Sequence, residues 1–372
     1  MAAWPALALA CGDQYCQAHF AWLDSLRRAQ GEALAALGFG PKECDYRVIL
    51  SGPHWRLRKY DHPAGALPVL IVPAPIKRPY IWDLHPSISA VRQCLAHSLA
   101  VYLIEWMPPP GNGEEASLSS YAECAISACA GRISREPLGA KPFLMGHSLG
   151  GTLAAIFCAL ESASVQGLVL LGAPLCFAPG SSRFRDALVS LFPSEIAGSG
   201  AVPGSLLSQV SALAAPDAFI WARMRDAAYG FAHPAALEVC ARVERWALDE
   251  VPLPGALVRE TVQWLYREDR FCRGVLTIRG RNARPPGVRV PVLAIVNTAD
   301  DVAPPSCVRP FLEQLPASQS RLIEYTGEAG VGLQHLALLI GSQAHARIWP
   351  EIVSWLKRSS QSLRIAVRAP SG

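Results

Sequence analysis

One serine, Ser148, stands at the centre of the sequence Gly-His-Ser-Leu-Gly at residues 146–150. A short apolar run, Pro142 to Met145, precedes this motif, and a stretch of small apolar residues follows it. The pattern predicts a strand, a sharp turn and a helix, with the serine hydroxyl exposed at the turn beside the helix N-terminus. Glycines two residues before and after the serine are needed because side chains there would collide with the neighbouring strand or helix. We therefore predict that Ser148 is a nucleophile.

A serine hydroxyl needs a base, usually a histidine, and a carboxylate that fixes the histidine tautomer. After a turn of this kind the chain order is serine, acid, histidine, and the last two lie on loops after late strands. An apolar run at 291–296 predicts such a strand, which leads into Asp300 and Asp301. Either carboxylate would lie at the rim of the site, so the residues alone leave the choice open.

The histidine that fits this order is His335. It follows a predicted strand at 321–325 and a loop of small residues. Its rival, His345, falls inside a closing helix predicted at 344–356, where it would not be presented on a loop. We therefore predict that His335 is the base that accepts the proton of the serine hydroxyl.

Backbone N–H groups are expected to hold the negative charge that develops on the attacked carbonyl oxygen. The amide of Leu149, directly after the serine, is one predicted donor. The second should come from the loop at 73–79, which follows a predicted strand. Prolines at the first and third positions of this loop have no N–H. Ala74 and Ile76 remain, and we favour Ile76.

Apolar runs alternate with helix-compatible segments along most of the chain, which indicates an α/β protein with a mainly parallel sheet covered on both faces. Helices are predicted at 12–38, with Arg27 and Arg28 on the outside, and at 85–99. Residues 55–60 alternate apolar and charged as a half-buried edge strand would. The other predicted strands, besides 321–325, lie at 67–72, 100–104, 165–171 and 290–296.

Residues 177–275 break the alternation with turn-forming residues and then with aromatic-rich, helix-compatible sequence. This segment is predicted to be a helical cap inserted into the sheet, and a plain set of core helices is the alternative. The predicted organisation is a helical lead-in at 1–44, the first part of the core at 45–176, the cap at 177–275, the second part of the core at 276–360 and a tail at 361–372.

Bulk composition narrows the function. Half of the residues (51%) are hydrophobic, 17% are charged and the net charge is +4, which is typical of a well-buried globular enzyme and does not favour nucleic acid as a partner. No apolar run is long enough to span a membrane. The cysteines form no Cys-x-x-Cys pair, so we expect no metal and reduced thiols in a cytoplasmic protein. They are Cys11, Cys16, Cys44, Cys94, Cys124, Cys129, Cys158, Cys176, Cys240, Cys272 and Cys307.

Eight segments together carry a resemblance to a known family: 70–84, 101–106, 146–152, 167–174, 202–207, 245–274, 300–305 and 348–356. They resemble the poly(3-hydroxyalkanoate) synthases, especially the short type that works with a partner subunit. The resemblance covers roughly residues 45 to 357. It implies an α/β-hydrolase fold, and it favours Asp300 as the acid because the leading aspartate of the matching acid loop is catalytic in that family.

The resemblance also implies a cysteine nucleophile, where this chain has Ser148. A cysteine thioester is primed for transfer, whereas a serine forms a more stable ester that water commonly cleaves. We therefore expect a serine hydrolase acting on esters or thioesters of (hydroxy)acyl groups, including acyl-CoA, without a cofactor. The alternative is a synthase-type acyltransferase that uses hydroxyacyl-CoA, and a third hypothesis is a non-enzymatic binding role. A homodimer and a synthase-type partner subunit are both compatible with the sequence.

Overall fold

The computed structural model describes residues 14–109, 116–137, 139–192 and 200–368. The strands in these ranges are short, as expected for apolar runs bounded by turn residues. They are β1 (Tyr46–Gly52), β2 (Trp55–Tyr60), β3 (Leu67–Val72), β4 (Asp83–His85), β5 (Ile88–Ser89), β6 (Leu99–Trp106), β7 (Phe143–His147), β8 (Gly167–Leu171), β9 (Ala201–Val202), β10 (Leu253–Pro254), β11 (Leu276–Ile278), β12 (Arg281–Ala283), β13 (Val292–Asn297) and β14 (Ser320–Tyr325).

The α-helices are α1 (Gln14–Leu34), α2 (Ala90–Ala96), α3 (Ile126–Ser134), α4 (Leu149–Glu161), α5 (Arg183–Leu191), α6 (Gly204–Ala214), α7 (Ala222–Ala232), α8 (Pro234–Ala247), α9 (Gly255–Glu260), α10 (Arg309–Leu312), α11 (Ala337–Ile340) and α12 (Ser342–Arg368). Short π-helical segments adjoin four of them, at Ala35–Phe39, Ser120–Ala125, Asp217–Trp221 and Thr261–Arg267. Single 3₁₀ turns lie at Pro79–Trp82, Ser162–Ser164, Pro285–Gly287, Pro305–Cys307 and Gln334–Leu336. Within the described ranges, no helix combines the length and the apolarity that crossing a membrane requires.

An eight-stranded sheet with the order β1-β2-β6-β3-β7-β8-β13-β14 forms the centre of the described part of the molecule. Pairing is antiparallel from β1 through β2 to β6 and parallel from β6 to β14. Strands β6, β7, β8 and β13 are buried along their whole length, as strands covered by helices on both faces must be. The predicted α/β class and mainly parallel sheet are therefore confirmed. Because β7, β13 and β14 are parallel, their carboxyl ends meet at one edge of the sheet.

Residues 55–60 form the predicted strand, but the prediction that this strand lies at the edge of the sheet was wrong. Strand β2 pairs with β1 on one side and with β6 on the other. The alternation that suggested solvent exposure arises instead from a buried ion-pair network. The guanidinium of Arg58 contacts Glu105 at 2.7 Å and Glu43 at 2.6 Å. Charged residues can line a covered strand when their partners are supplied by neighbouring segments.

Three helix predictions needed correction. The helix predicted at 85–99 is shorter, because a small hairpin of β4 and β5 precedes α2. Helix α1 lies within the predicted span 12–38, of which residues 12 and 13 fall outside the described ranges. The prediction that Arg27 points outward from this helix was wrong. Its guanidinium bonds Glu250 at 3.0 Å, since α1 packs against the segment predicted as the cap. The closing helix α12 continues to Arg368, through much of the predicted tail.

Elements α5 to α9 and the antiparallel pair of short strands β9 and β10 lie between the core strands β8 and β13. We propose that they form the predicted cap. The predicted division of the chain into a lead-in, two core parts, a cap and a tail also stays a proposal. The expectation that the cysteines are reduced was wrong for one pair, because Cys176 and Cys272 form a disulfide with an S–S distance of 2.06 Å. Cys-x-x-Cys spacing does not reveal this bond, since its partners lie 96 residues apart at the two ends of the proposed cap.

We predict that removing this bond destabilises the protein. The double variant Cys176→Ser/Cys272→Ser should lose about 2–4 kcal/mol of the free energy of unfolding, because the bond closes a long loop and restricts the unfolded chain. Urea unfolding of the oxidised proteins measures the difference, with Cys124→Ser, which removes an exposed free thiol, as the matched control. Alkylation of all eleven cysteines in the unfolded, unreduced wild type would contradict the bond.

Candidate active site

Ser148 occupies a sharp turn between strand β7 and helix α4. Its backbone has φ 54° and ψ −137°, a conformation that non-glycine residues adopt only when the surroundings enforce it. The amide of Ser148 donates to the carbonyl of Leu171 on β8 at 3.1 Å, which ties the turn to the next strand. The predicted strand–turn–helix therefore forms, and the serine hydroxyl is directed out of the sheet edge.

The glycines around Ser148 let the chain pass close to its neighbours. A Cβ on Gly146 would lie 2.5 Å from the Cα of Gly151, and a Cβ on Gly151 would lie 2.4 Å from the Cβ of Ala173. A Cβ on Gly150 would lie 2.1 Å from the carbonyl oxygen of Val72, at the end of β3. These contacts leave no room for side chains, so the residue types at 146, 150 and 151 follow from the packing.

His335 and Asp300 lie beside the serine. The Nε2 atom of His335 is 2.8 Å from the Oγ atom of Ser148, and its Nδ1 atom is 2.6 Å from Oδ2 of Asp300. A carboxylate accepts hydrogen bonds, so Nδ1 carries the proton and Nε2 is left to accept from the serine hydroxyl. The structure thus brings together three residues that the sequence predicts to act together. Their catalytic role remains a proposal.

Asp300 is held as a carboxylate. Burial alone would raise the pKa of Asp300, but the neighbouring His335 imidazole and hydrogen bonds from backbone amides hold it below its usual value. One of these bonds runs from the Val302 amide to Oδ1 at 2.8 Å. Asp301, the alternative acid, is exposed. His345, the alternative base, lies in α12 and bonds the carbonyl of Leu339 at 2.7 Å.

The predicted amide donors lie around the same cavity. Leu149 begins helix α4, where the first amides have no partner within the helix. Both Ala74 and Ile76 line the cavity, so the choice between them remains open. Their loop is held by the indole N–H of Trp106, which donates to the Pro73 carbonyl at 2.8 Å. The role of Leu149 and Ile76 as oxyanion donors stays a prediction.

A mainly apolar cavity of about 390 Å³ lies over Ser148. Side chains from the core and from the proposed cap line it, and the charged ones among its described lining residues are cationic: Arg27, Lys77, Arg78 and Arg223. Elsewhere in the described ranges, no group of three histidine, cysteine or acidic side chains is arranged as metal ligands would be. The cavity therefore suits a ligand with a long apolar part and an anionic part.

Two of these cations share one carboxylate. Glu250 is almost fully buried and contacts Arg27 at 3.0 Å and the Lys77 amine at 2.9 Å. Burial lowers the pKa of Lys77 to about 8, opposed by Glu250, and the nearby cations Arg27 and Arg223 lower it further. Of the other two cations, Arg78 contacts Asp249 at 3.6 Å and Arg223 pairs with Glu244, so the incompletely neutralised positive charge at this wall belongs to Arg27 and Lys77. Sequence reasoning missed these residues because their partners are distant along the chain.

His147 is a further residue of the site for which the sequence predicted no role. It is buried in the centre of the nucleophile motif, and its Nε2 atom is 2.7 Å from the carbonyl oxygen of His335. Burial, and then the neighbouring His335, lower the pKa of His147 to about 3. The one available signal was its position next to the serine.

Comparison with known proteins defines the class first. A family model described as the α/β hydrolase fold matches residues 86–328, and the chain belongs to this family. Among its relatives is the poly(3-hydroxyalkanoate) polymerase subunit PhaC of Haloarcula marismortui, which is 27% identical over 324 residues, or 83% of this chain and 65% of the relative. The subunit of Haloferax mediterranei is 27% identical over 90% of this chain and 67% of its own length.

The same subunit of Allochromatium vinosum is 27% identical over 86% of this chain and 89% of its own length. This chain thus spans about two thirds of the first two relatives and nearly all of the third. Together these matches confirm the predicted resemblance to the synthases.

Solved structures support the fold alone. A monoacylglycerol lipase of Paleococcus ferrophilus superposes with a TM-score of 0.51 at 19% identity, covering 79% of this chain and 96% of the lipase. A thermophilic esterase of Thermogutta terrifontis gives a TM-score of 0.51 at 18% identity, covering 85% of this chain and 99% of the esterase. The arrangement of strands and helices is therefore shared with enzymes of the same fold.

The packing around the turn predicts a penalty for Gly150→Ala. The added methyl group would meet backbone atoms of Val72 and Pro73, so main chain must shift, and we expect a loss of about 1–3 kcal/mol in the free energy of unfolding. Urea unfolding measures it. Gly131→Ala in α3 is the matched control, because its Cβ meets no atom within 4 Å, and it should be neutral or stabilising by up to about 1 kcal/mol. Equal stability of Gly150→Ala and the wild type would contradict the close approach.

Proposed function

We propose that the protein is an acyltransferase of the poly(3-hydroxyalkanoate) synthase type, which forms an acyl-enzyme on Ser148 from a hydroxyacyl thioester. The observation that carries the proposal is the hydrogen-bonded series Ser148–His335–Asp300 under a mainly apolar cavity. Similarity to polymerase subunits over most of the chain supports transfer as the reaction. Serine takes the role that the resemblance assigns to cysteine.

In the first half of the reaction, the Oγ atom of Ser148 attacks the acyl carbonyl while Nε2 of His335 takes the hydroxyl proton. The carbonyl oxygen becomes negative and is held by the Leu149 amide and by an amide of the 73–79 loop. Asp300 stays ionised and stabilises the imidazolium. The carbon–sulfur bond then breaks, and the imidazolium gives its proton to the departing thiolate.

In the second half, the hydroxyl group of another hydroxyacyl molecule attacks the serine ester. His335 takes its proton, the new ester bond forms, and the bond to Ser148 breaks as the proton returns to Oγ. The product is longer by one hydroxyacyl unit. An apolar cavity favours this route, because it accommodates an acyl acceptor and reduces the access of water.

Hydrolysis is the second candidate, and the identity of the nucleophile favours it. An acyl-enzyme that is a serine ester is more stable than a cysteine thioester, so it persists longer and water has more time to hydrolyse it. Product analysis after incubation with 3-hydroxybutyryl-CoA separates the two candidates. Polymer or oligomer, detected as the methyl esters of its units after methanolysis, supports transfer. Free hydroxy acid together with free CoA supports hydrolysis.

The proposed roles predict large losses of activity in two variants. Ser148→Ala should lower the rate of CoA release by several orders of magnitude, because no other group forms the acyl-enzyme. Asp300→Asn should lower this rate by about 10⁴-fold, because His335 is then no longer held in the tautomer whose Nε2 accepts the serine proton. Release of the thiol from 3-hydroxybutyryl-CoA measures the rate. Asp301→Asn, at the exposed neighbouring position, is the control and should retain the wild-type rate. Wild-type activity in Ser148→Ala would end the proposal.

The cationic side chains that line the cavity, Arg223 among them, predict a preference for a thioester that carries phosphate groups. For Arg223→Gln, the ratio of kcat/KM for 3-hydroxybutyryl-CoA to that for the neutral N-acetylcysteamine thioester should fall about tenfold, because a charge-assisted contact to phosphate is lost. Arg321→Gln, which removes a surface ion pair with Glu351, should keep the wild-type ratio. An equal fall for both substrates would show that Arg223 does not contact the carrier.

A further inference from the structure

The base His335 sits on a segment that the sheet does not hold. The loop between β14 and the 3₁₀ turn Gln334–Leu336 contains Gly327, Gly330 and Gly332, all with positive φ. Glycine in this conformation leaves the backbone with many accessible states. Side chains from other elements must therefore fix the peptide groups next to His335 if its imidazole is to stay within 2.8 Å of the serine oxygen.

Two side chains from strand ends hold consecutive carbonyl groups there. The Asn297 amide, at the end of β13, donates to the Gln334 carbonyl at 2.8 Å. The Nε2 atom of His147, at the end of β7, lies 2.7 Å from the His335 carbonyl. A carbonyl oxygen only accepts, so this nitrogen carries the proton and donates. The base is thereby tied to the residue that precedes the nucleophile.

Aromatic rings lie beside the buried His147 imidazole. Its ring centroid is 4.7 Å from that of His335, and the Trp82 ring meets it edge-on with the centroids 6.5 Å apart. A Cβ on Gly172 would lie 3.9 Å from Nε2 of His147 and 3.5 Å from Oδ2 of Asp300, so both groups border the same narrow space. The imidazole is neutral in the physiological range, because burial lowers its pKa to about 3, and it has one proton to donate.

We propose that His147 is a positioning residue that keeps the His335 imidazole aligned with Ser148 by donating a hydrogen bond to the His335 backbone carbonyl. The proposal rests on the proposed role of His335 as the base. It goes beyond that function in giving a task to the second residue of the nucleophile motif. His147 acts through His335, because its ring nitrogen bonds the His335 backbone carbonyl.

The experiment measures how fast a fluorophosphonate labels Ser148, a reaction that needs the base but no particular acyl substrate. His147→Leu should slow labelling about tenfold or more at pH 8, because a small displacement of the base is costly. His147→Gln, which keeps an N–H donor, should recover most of the rate. Recovery of the rate by a donor, at similar thermal stability of both variants, is not expected of a residue that only fills space.

His345→Leu is the matched control, because His345 is also buried and its Nε2 atom also bonds a backbone carbonyl at 2.7 Å, but within the closing helix region. It should cost stability and leave the labelling rate at the wild-type value. Wild-type labelling in His147→Leu, or equal slowing in the leucine and glutamine variants, would overturn the proposal.

A second measurement on the wild type keeps the test valid if the leucine variant does not fold. Nitrogen-15 spectra of the histidine rings, with His147 assigned by its loss in His147→Gln, should show a neutral Nε2–H ring unchanged from pH 5 to 9. A ring that is protonated on Nδ1, or that titrates in this interval, would contradict the hydrogen bond. If the fluorophosphonate does not label wild-type Ser148, the proposed function fails, whereas these spectra still test the role of His147.

Discussion

The close approach of strand β7 and helix α4 at Gly146 and Gly151 is the constraint on which the site depends. With no side chains between them, the chain reverses within one residue and holds Ser148 at a positive φ. This conformation is unfavourable by itself and persists because the parallel sheet and the helix enforce it. The serine oxygen is thereby directed to the edge where β13 and β14 end and where Asp300 and His335 follow.

Much of this arrangement could be predicted from the sequence, because it depends on local patterns. Apolar runs mark the central strands, and the glycines around Ser148 mark the turn. A parallel sheet then brings the carboxyl ends of β7, β13 and β14 together, so the order of serine, acid and histidine has a spatial meaning. Within this reasoning Asp300 and Asp301 could be separated only through the resemblance to the synthases.

Contacts between distant segments could not be predicted in the same way. Arg27 looked like an outward-facing residue of an amphipathic helix, yet it reaches Glu250, 223 positions away. Strand β1 has intermediate and exposed positions but no buried one, so burial along the strand does not indicate its pairing with β2. The bond between Cys176 and Cys272 leaves no local signal either. In each case the deciding partner belongs to another part of the chain, so periodicity within one segment carries no information about it.

The fold and the three aligned side chains suit several acyl reactions, and the fate of the acyl group separates them. The apolar walls of the cavity favour transfer to a second acyl molecule. The stability of a serine ester favours hydrolysis, because the ester persists long enough for water to attack it. The cationic side chains at the cavity wall suit a donor that carries phosphate groups. All of the proposed reactions share an acyl-enzyme on Ser148, so they depend on which atom becomes acylated.

Mass spectrometry of proteolytic fragments, after brief exposure to 3-hydroxybutyryl-CoA and acid quenching, identifies the acylated atom. We expect a hydroxybutyryl group on the fragment that contains Ser148, localised to its hydroxyl oxygen and absent from Ser148→Ala. A hydroxybutyryl group on a cysteine, such as the buried thiol of Cys307, or its persistence in Ser148→Ala would show that Ser148 is not the nucleophile.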